Sequence, residues 1–255
     1  MPISKSASGQ LYYENRTAAN PKGTIIFIHG SGGTAQVWHE QMQALSKYLN
    51  CLAIDLPGHG KSSPPAYTNV GEAALHLKAF IEKESLTRPI YIAGHSLGAA
   101  VTLHYARYYA VDLNGFILIG GGAKLKVLPQ ILESLAIGKM DNSFFRMTFS
   151  PKCDPALIAT QTEVYMQNSP AVLYADFNAC DKFDLTAELS TVTLPALIIV
   201  GRDDILTPVK YAEYLQTHLP EAVLVILETA GHFAMLEQPA AVNQAIFGFL
   251  KNLES

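Results

Sequence analysis

Short apolar runs alternate with helical patterns along most of this chain. Six runs of four or five residues are apolar at successive positions, and they lie at 24–28, 51–54, 90–93, 116–119, 196–200 and 223–227. Such runs are typical of strands buried on both faces, as in a parallel sheet covered by helices. Two further segments, 3–7 and 10–14, predict an antiparallel hairpin at the edge of this sheet.

Helical patterns fill the intervals between these runs. They lie at 38–49, 70–81, 97–108 and 242–253. Pro208 and Pro239 each predict the first residue of a helix, with Thr207 and Gln238 as the N-caps, because proline has no N–H to leave unpaired there. Pro239 would begin the helix that contains 242–253. The repeated order of strand and helix predicts an α/β fold with a doubly wound, mostly parallel sheet.

The segment 123–194 breaks this alternation, because it contains helical fragments and no strand-like run. A long excursion from a compact domain is typical of a lid or an extra subdomain, and ligands of such folds bind where this segment emerges, at the carboxyl ends of the strands. We therefore predict a core of residues 1–122 and 195–255 with a helical lid at 123–194. The alternative is a layer of helices that only packs on the sheet.

The predicted lid is rich in aromatic and methionine side chains, which suit an adaptable apolar pocket. Eight of them are candidates to line it: Phe144, Phe145, Met147, Phe149, Tyr165, Met166, Tyr174 and Phe177. We expect this segment to cover the substrate and to set the preferred acyl chain length.

Composition excludes several classes of function. Only 16% of residues are charged and the net charge is −4, with no basic stripe, so we do not expect nucleic-acid binding. The longest uncharged stretch, 89–106, is explained by a strand, a turn and a helix, and we expect no membrane partner. A polar N-terminus without a signal pattern and three widely spaced cysteines predict a cytoplasmic protein with reduced thiols.

Gly94-His95-Ser96-Leu97-Gly98 stands between a predicted strand and a predicted helix. In that setting the pattern G-x-S-x-G is typical of a nucleophile elbow, a strained turn that raises a serine hydroxyl above the sheet. Glycines occupy the positions where side chains would collide across the turn. We therefore predict that Ser96 is a nucleophile.

A serine hydroxyl needs a base, and the base needs an acid that orients it. His232 follows the last strand-like run, on the same carboxyl side as Ser96, and we predict it to be the base. Asp203 and Asp204 both follow the run at 196–200. Two adjacent carboxylates cannot both point at one imidazole, and the spacing alone leaves the choice between them open.

Five segments, in this order, resemble the α/β-hydrolase family. They are His29-Gly30-Ser31-Gly32-Gly33, the stretch DLPGHGKS at 55–62, the pattern around Ser96, Gly201-Arg202-Asp203-Asp204 with the following Pro208, and Gly231-His232-Phe233. The resemblance implies the α/β-hydrolase fold and the chain order Ser, acid, His. It also implies that the acid is Asp204, three residues after Gly201, and that Asp203 lies outside the catalytic set.

The resemblance further implies an oxyanion hole, in which two fixed N–H groups stabilise the negative oxygen of an acyl-transfer intermediate. Carried over to this chain, the donors are the backbone N–H groups of Ser31 and Leu97. His29 is then a structural residue of its loop rather than a catalytic one. No cofactor is expected, and no metal, because the histidines lack the spacing of a zinc site.

These observations predict a serine hydrolase that acts on a small to medium apolar ester or lactone. Two alternatives remain. One is hydrolysis of a carbon–carbon bond, which the Gly-Arg-Asp-Asp segment suggests, although Leu97-Gly98-Ala99 and Phe233 depart from the pattern of such enzymes. The other is a ligand-binding receptor that keeps the three residues of a hydrolase. Turnover of simple esters distinguishes an enzyme from such a receptor.

Overall fold

A single eight-stranded sheet organises the computed structural model, which describes residues 3–6 and 9–253. The strands are β1 (Ile3–Ser6), β2 (Gly9–Arg16), β3 (Thr24–Ile28), β4 (Asn50–Ile54), β5 (Ile90–His95), β6 (Gly115–Ile119), β7 (Ala196–Gly201) and β8 (Ala222–Leu227). Their order in the sheet is β1-β2-β4-β3-β5-β6-β7-β8. The pairs from β4 to β8 are parallel, whereas β1 and β2 form an antiparallel edge.

The six predicted strands and the predicted edge hairpin are confirmed, although Ala7 in the first hairpin segment lies outside the described residues. Every residue of β3, β5, β6 and β7 is buried, as expected for a sheet covered on both faces. In contrast, β8 is an edge strand, and its Val223 is 54% exposed. The apolar run of β8 resembles the runs of the central strands, so the sequence alone did not show that β8 lies at the edge of the sheet.

Helices cover both faces of the sheet. They are α1 (His39–Leu45), α2 (Val70–Lys83), α3 (Leu97–Tyr108), α4 (Pro129–Ala136), α5 (Ser143–Arg146), α6 (Pro155–Met166), α7 (Pro170–Lys182), α8 (Val209–His218), α9 (Ala234–Glu237) and α10 (Pro239–Leu253), with short 3-10 helices at Ala35–Trp38, Ala110–Asp112 and Leu189–Thr191. Alternate residues of β3 enter opposite cores: Ile26 and Ile28 pack with α2, α3 and α8, and Ile25 and Phe27 pack with α1 and α10.

One predicted helix start is wrong. Pro208 was expected at the first helical position, but it is the extended N-cap residue and α8 begins at Val209. Thr207 instead belongs to the turn before the helix, where its N–H and its hydroxyl both donate to the carboxylate of Asp204, three residues earlier. The other expected start is confirmed, since α10 begins at Pro239.

The chain between β6 and β7, here called the β6–β7 segment (residues 123–194), contains α4 to α7. Within it the described chain forms one isolated bridge, between Lys124 and Asp184, and no extended strand. Its buried side chains join both cores: Cys180 packs in the core with α3, and Leu173 packs in the core with α1. No helix in residues 3–6 and 9–253 is both long enough and apolar enough to cross a membrane.

Candidate active site

Ser96 occupies a strained turn between β5 and α3. Its backbone has φ 53° and ψ −114°, and it is the one non-glycine residue with positive φ in the part of the chain that the structure describes. Such a conformation costs on the order of 1–3 kcal/mol and persists only where the surroundings impose it. A Cβ atom added at Gly94 would lie 2.0 Å from the Gly98 carbonyl oxygen, and one at Gly98 would lie 2.3 Å from that of Ile28. The turn therefore requires both glycines.

His232 and Asp204 form a buried pair at the carboxyl edge of the sheet. The Nδ1 atom of His232 lies 2.9 Å from Oδ2 of Asp204, and both side chains are almost fully buried. Asp204 lies in the loop after β7, and His232 lies in the loop after β8. Because a carboxylate only accepts hydrogen bonds, Nδ1 carries the proton and Nε2 is left free to accept one.

Three further donors hold the Asp204 carboxylate. Its Oδ1 accepts the backbone N–H groups of Leu206 and Thr207 at 2.8 and 2.9 Å, and its Oδ2 accepts the Thr207 hydroxyl at 2.8 Å. Burial alone would raise the pKa of Asp204, but the imidazole of His232 and the hydrogen bonds from Thr207 lower it below its usual value. The carboxylate therefore stays ionised at neutral pH.

The adjacent carboxylate, Asp203, points elsewhere. Its Oδ2 accepts the Ser150 hydroxyl at 2.6 Å. The structure thus brings Asp204, and not Asp203, to His232.

Ser96, His232 and Ser31 line one small cavity of about 30 Å³. Ser96 and Ser31 also border an adjoining cavity of about 440 Å³. The side chains that line this larger space, apart from the two serines, are Leu125, Lys126, Val127, Leu128, Ile131, Phe144, Met147, Phe177, Cys180, Ile205, Leu206 and Thr207. Most of them are apolar, and most belong to the β6–β7 segment. Ser96 and Ser31 thus border an apolar space of ligand size.

The predicted oxyanion donors are the backbone N–H groups of Leu97 and Ser31. Leu97 is the first residue of α3, so its N–H has no acceptor within the helix, and the helix N-terminus favours negative charge. Ser31 lies inside a turn that is closed by the Gly33 N–H on the Gly30 carbonyl at 3.0 Å, and this closing bond does not use the Ser31 N–H. Because β3 and β5 are neighbours in the sheet, both residues emerge at one edge. Their catalytic role stays a prediction.

His29 lies beneath this turn. Its Nδ1 donates to the Gly30 carbonyl at 2.7 Å, and its Nε2 accepts the Leu56 N–H at 2.9 Å. Burial, together with the nearby His59, lowers the pKa of His29 well below its usual value, so the ring is neutral. Both ring nitrogens are used by backbone groups, which agrees with a structural role.

His95, inside the elbow, gives a prediction about stability. Burial and the neighbouring His232 lower its pKa to about 3, and its Nε2 donates to the His232 carbonyl at 3.0 Å. In the unfolded chain a histidine protonates near pH 6.5. The unfolded state therefore binds more protons between pH 6.5 and about 3, and the free energy of unfolding falls as the pH falls through that window.

We expect His95→Gln to weaken this pH dependence, because glutamine keeps a donor but cannot bind the proton. The measurement is urea unfolding at several pH values from about 4.5 to 7.5, with the exposed His39→Gln as the matched control. Equal slopes of unfolding free energy against pH in the wild type and His95→Gln would contradict this account.

Three residues that hold the site were not singled out from the sequence as supporting groups. Thr207 fixes Asp204, and Glu237 accepts the N–H groups of Gly231 and Ser150 at 3.0 and 2.9 Å, which fixes the loop that carries His232. Asp176 is the third, because its carboxylate accepts the Gly32 N–H at 2.9 Å in the turn that carries Ser31. Only Asp176 left a signal in the sequence, because it shares a buried face of α7 with apolar neighbours at helical spacing.

Within residues 3–6 and 9–253, no group of three or more histidine, cysteine or acidic side chains is arranged to hold a metal ion.

Known proteins are similar to this chain over nearly its whole length. A pimeloyl-acyl-carrier protein methyl ester esterase from Neisseria meningitidis is 25% identical over 244 residues, which cover 89% of this chain and 93% of that protein. A 3-oxoadipate enol-lactonase from Acinetobacter baylyi is 26% identical over 244 residues, covering 90% of this chain and 89% of that one.

Among solved structures, the enol-lactonase from Burkholderia xenovorans superposes with a TM-score of 0.90 at 20% identity, covering 98% of this chain and all of that one. At this identity the likeness shows the fold alone. The sequence itself matches the alpha/beta hydrolase family over residues 25–245. The chain therefore belongs to the alpha/beta hydrolase family and is a hydrolase.

Proposed function

We propose that the protein is a serine carboxylester hydrolase with Ser96 as nucleophile, His232 as base and Asp204 as the acid that orients it. The observation that carries the proposal is the buried 2.9 Å contact between His232 and Asp204, beside a cavity that His232 shares with the strained Ser96. Perturbed and buried titratable groups that meet at a cleft are typical of catalytic sites.

In this mechanism the Ser96 hydroxyl attacks the ester carbonyl and gives its proton to Nε2 of His232. The backbone N–H groups of Ser31 and Leu97 stabilise the negative oxygen that forms. His232 then returns the proton to the departing alcohol, and a water molecule repeats the sequence to release the acid. Asp204 stays ionised throughout, and it stabilises the imidazolium that forms at each step.

The substrate class follows from the larger cavity. Its walls are apolar side chains, and Lys126 is the one charged residue among those that line it. We propose an apolar ester or lactone of small to medium size, in keeping with relatives named as an esterase and an enol-lactonase. We also propose that the β6–β7 segment is a lid on a core of residues 1–122 and 195–255, since it supplies Phe144, Met147 and Phe177 to the cavity wall.

The eight aromatic and methionine side chains predicted to line the pocket divide into three groups. Phe144, Met147 and Phe177 line the larger cavity. Phe145 and Tyr165 line the smaller one. The remaining three, Phe149, Met166 and Tyr174, line neither, and Met166 and Tyr174 are 41% and 38% exposed.

Phe144→Ala and Phe177→Ala are expected to shift the preferred acyl chain to longer esters, because each removes a wall of the larger cavity. While the cavity fills, each added CH₂ should contribute about 0.8 kcal/mol, or about fourfold in kcat/KM. The measurement is kcat/KM over p-nitrophenyl esters of increasing chain length.

Tyr174→Ala is the matched control for this series, because Tyr174 lies on α7 with Phe177 but lines neither cavity. An optimum that stays in place in both phenylalanine variants, or that moves equally in Tyr174→Ala, would show that the β6–β7 segment only packs on the sheet.

The reaction itself is tested with p-nitrophenyl butyrate and with a fluorophosphonate, which forms a covalent bond to an activated serine. We expect ester turnover and a single labelled peptide that contains Ser96. A protein that binds the ester without turnover would be a receptor. One that cleaves a dienoic diketone in preference to esters would be a carbon–carbon bond hydrolase.

A further inference from the structure

A second buried histidine–aspartate pair lies outside the proposed catalytic set. The Nε2 atom of His59 is 2.9 Å from Oδ2 of Asp176, and the two side chains are 0% and 2% exposed. His59 lies in the loop after β4, whereas Asp176 lies on α7 in the β6–β7 segment. The contact therefore ties this segment to the core of the fold.

The pair is ionic. Nε2 of His59 faces the carboxylate, and its Nδ1 lies 3.2 Å from the Pro57 carbonyl oxygen, so both nitrogens face groups that only accept hydrogen bonds. Burial alone would lower the pKa of His59, but the Asp176 carboxylate outweighs it and raises the pKa above its usual value. A buried ion pair is costly to desolvate, and apolar side chains in its place would often stabilise a fold equally well.

Asp176 also binds the turn that carries Ser31. Its Oδ2 accepts the Gly32 N–H at 2.9 Å, and the Gly32 carbonyl accepts the Asn168 side-chain amide at 2.8 Å. Both Asp176 and Asn168 come from the β6–β7 segment. The N–H and the carbonyl of Gly32, the residue after the proposed oxyanion donor, are therefore both held by the β6–β7 segment, and neither is held by a proposed catalytic side chain.

The direction of the Ser31 N–H depends on these contacts. In a trans peptide the N–H points opposite to the carbonyl of the preceding residue. The Gly30 carbonyl is held from the core side by His29, and the next peptide is held by Asp176 through the Gly32 N–H. The Ser31 N–H lies in the first of these peptide planes. The second plane, held by Asp176, restricts rotation about the backbone bonds of Ser31 that would carry the first plane away.

We propose that Asp176, held in place by His59, is a positioning residue that aims the Ser31 N–H at the oxyanion. The inference rests on the proposed function, because it takes Ser31 as an oxyanion donor. It gives the β6–β7 segment a role in the chemical step, in addition to forming a wall of the substrate cavity.

Loss of this support should act on kcat rather than on KM. Removing one oxyanion donor outright costs about 10²- to 10³-fold in kcat, and a displaced donor costs less. We expect kcat to fall about 10- to 100-fold in Asp176→Asn and in Asn168→Ala. Asp176 does not line either cavity, so KM should stay within about twofold of the wild type.

The sharper readout compares a p-nitrophenyl ester with its thionoester, in which sulfur replaces the reacting carbonyl oxygen. Sulfur accepts hydrogen bonds weakly, so a misplaced donor should slow the oxygen ester more than the thionoester. A variant that is merely less stable would slow both equally. Asp154→Asn is the matched control, because Asp154 is an exposed residue of the same segment and asparagine still caps α6.

The two variants keep the test informative if one folds poorly, because Asn168 is only half-buried and lies outside the ion pair. A fall in kcat with an unchanged KM and a reduced oxygen-to-sulfur rate ratio, in either folded variant, supports the proposal. Equal losses for both substrates, or wild-type kcat in both variants, would overturn it.

Ser96→Ala separates this inference from the proposed function. If Ser96→Ala is inactive and the Asp176 and Asn168 variants behave as the wild type, only the inference falls. If Ser96→Ala keeps its activity, the proposed function fails and the inference fails with it.

Discussion

Ser96→Ala is expected to lower kcat for p-nitrophenyl butyrate about 10³-fold or more, because it removes the proposed attacking oxygen. The fold should persist, since alanine is smaller than serine and the turn is imposed by its surroundings: the Ser96 N–H binds the Ile119 carbonyl, and the Ala100 N–H binds the Ser96 carbonyl. The measurements are kcat and the midpoint of thermal unfolding.

Ser190→Ala is the matched control, because Ser190 is an exposed serine in the short helix Leu189–Thr191, before β7. It should leave both quantities unchanged. A Ser96→Ala protein that keeps more than about a tenth of the wild-type kcat would remove Ser96 from the mechanism.

Asp204→Asn is expected to lower kcat by about 10⁴-fold, as for loss of the acid in other Ser-His-Asp enzymes. An asparagine can still accept the N–H groups of Leu206 and Thr207 through its carbonyl oxygen. Its amide would then face Nδ1 of His232 as a donor and would favour the tautomer with the proton on Nε2. That tautomer cannot take the proton of Ser96.

Asp203→Asn tests the same substitution one residue earlier. Because Asp203 accepts the Ser150 hydroxyl and does not contact His232, we expect at most a small change in kcat. Rates at several pH values, with the unfolding midpoint of each variant, separate a catalytic defect from a folding defect. The reverse ranking of the two variants would contradict the assignment of Asp204.

The architecture followed from local patterns. Runs such as 24–28 and 196–200 are apolar at successive positions. Successive side chains of a strand point to opposite faces of the sheet, so such runs are expected where both faces are buried. The elbow was equally readable, because the pattern G-x-S-x-G stands between a strand and a helix within a few residues of Ser96, although the contact that requires Gly98 is made with the distant Ile28 carbonyl. Both signals depend on neighbours along the chain.

The choice of Asp204 over Asp203 as the proposed acid required more than local pattern. The residues alone left Asp203 and Asp204 equivalent, and the resemblance to a family selected Asp204. The structure supplies the physical difference: the loop after β7 turns the N–H groups of Leu206 and Thr207 toward Asp204, and it leaves Asp203 to Ser150. That turn includes Pro208, which was wrongly expected to begin a helix.

Local pattern also could not show which side chains of the β6–β7 segment line the larger cavity. Phe177 and Tyr174 lie on the same helix, α7, yet only Phe177 reaches the larger cavity. The helix α7 packs against α3 and α4, and periodicity along one helix does not show whether a given side chain faces a neighbouring helix or the cavity. The eight candidates therefore had to be sorted by packing.

The sequence by itself determined the elements, the faces they bury, the elbow at Ser96 and the carboxyl edge at which His232 stands. These features depend on spacing within a few residues. Only the tertiary structure decided the contacts between distant parts of the chain: His232 with Asp204, and His59 with Asp176, which lie 28 and 117 residues apart. The type of a polar residue tells which hydrogen bonds its side chain can make. Its actual partner depends on how distant helices and strands pack together, and local patterns do not show that packing.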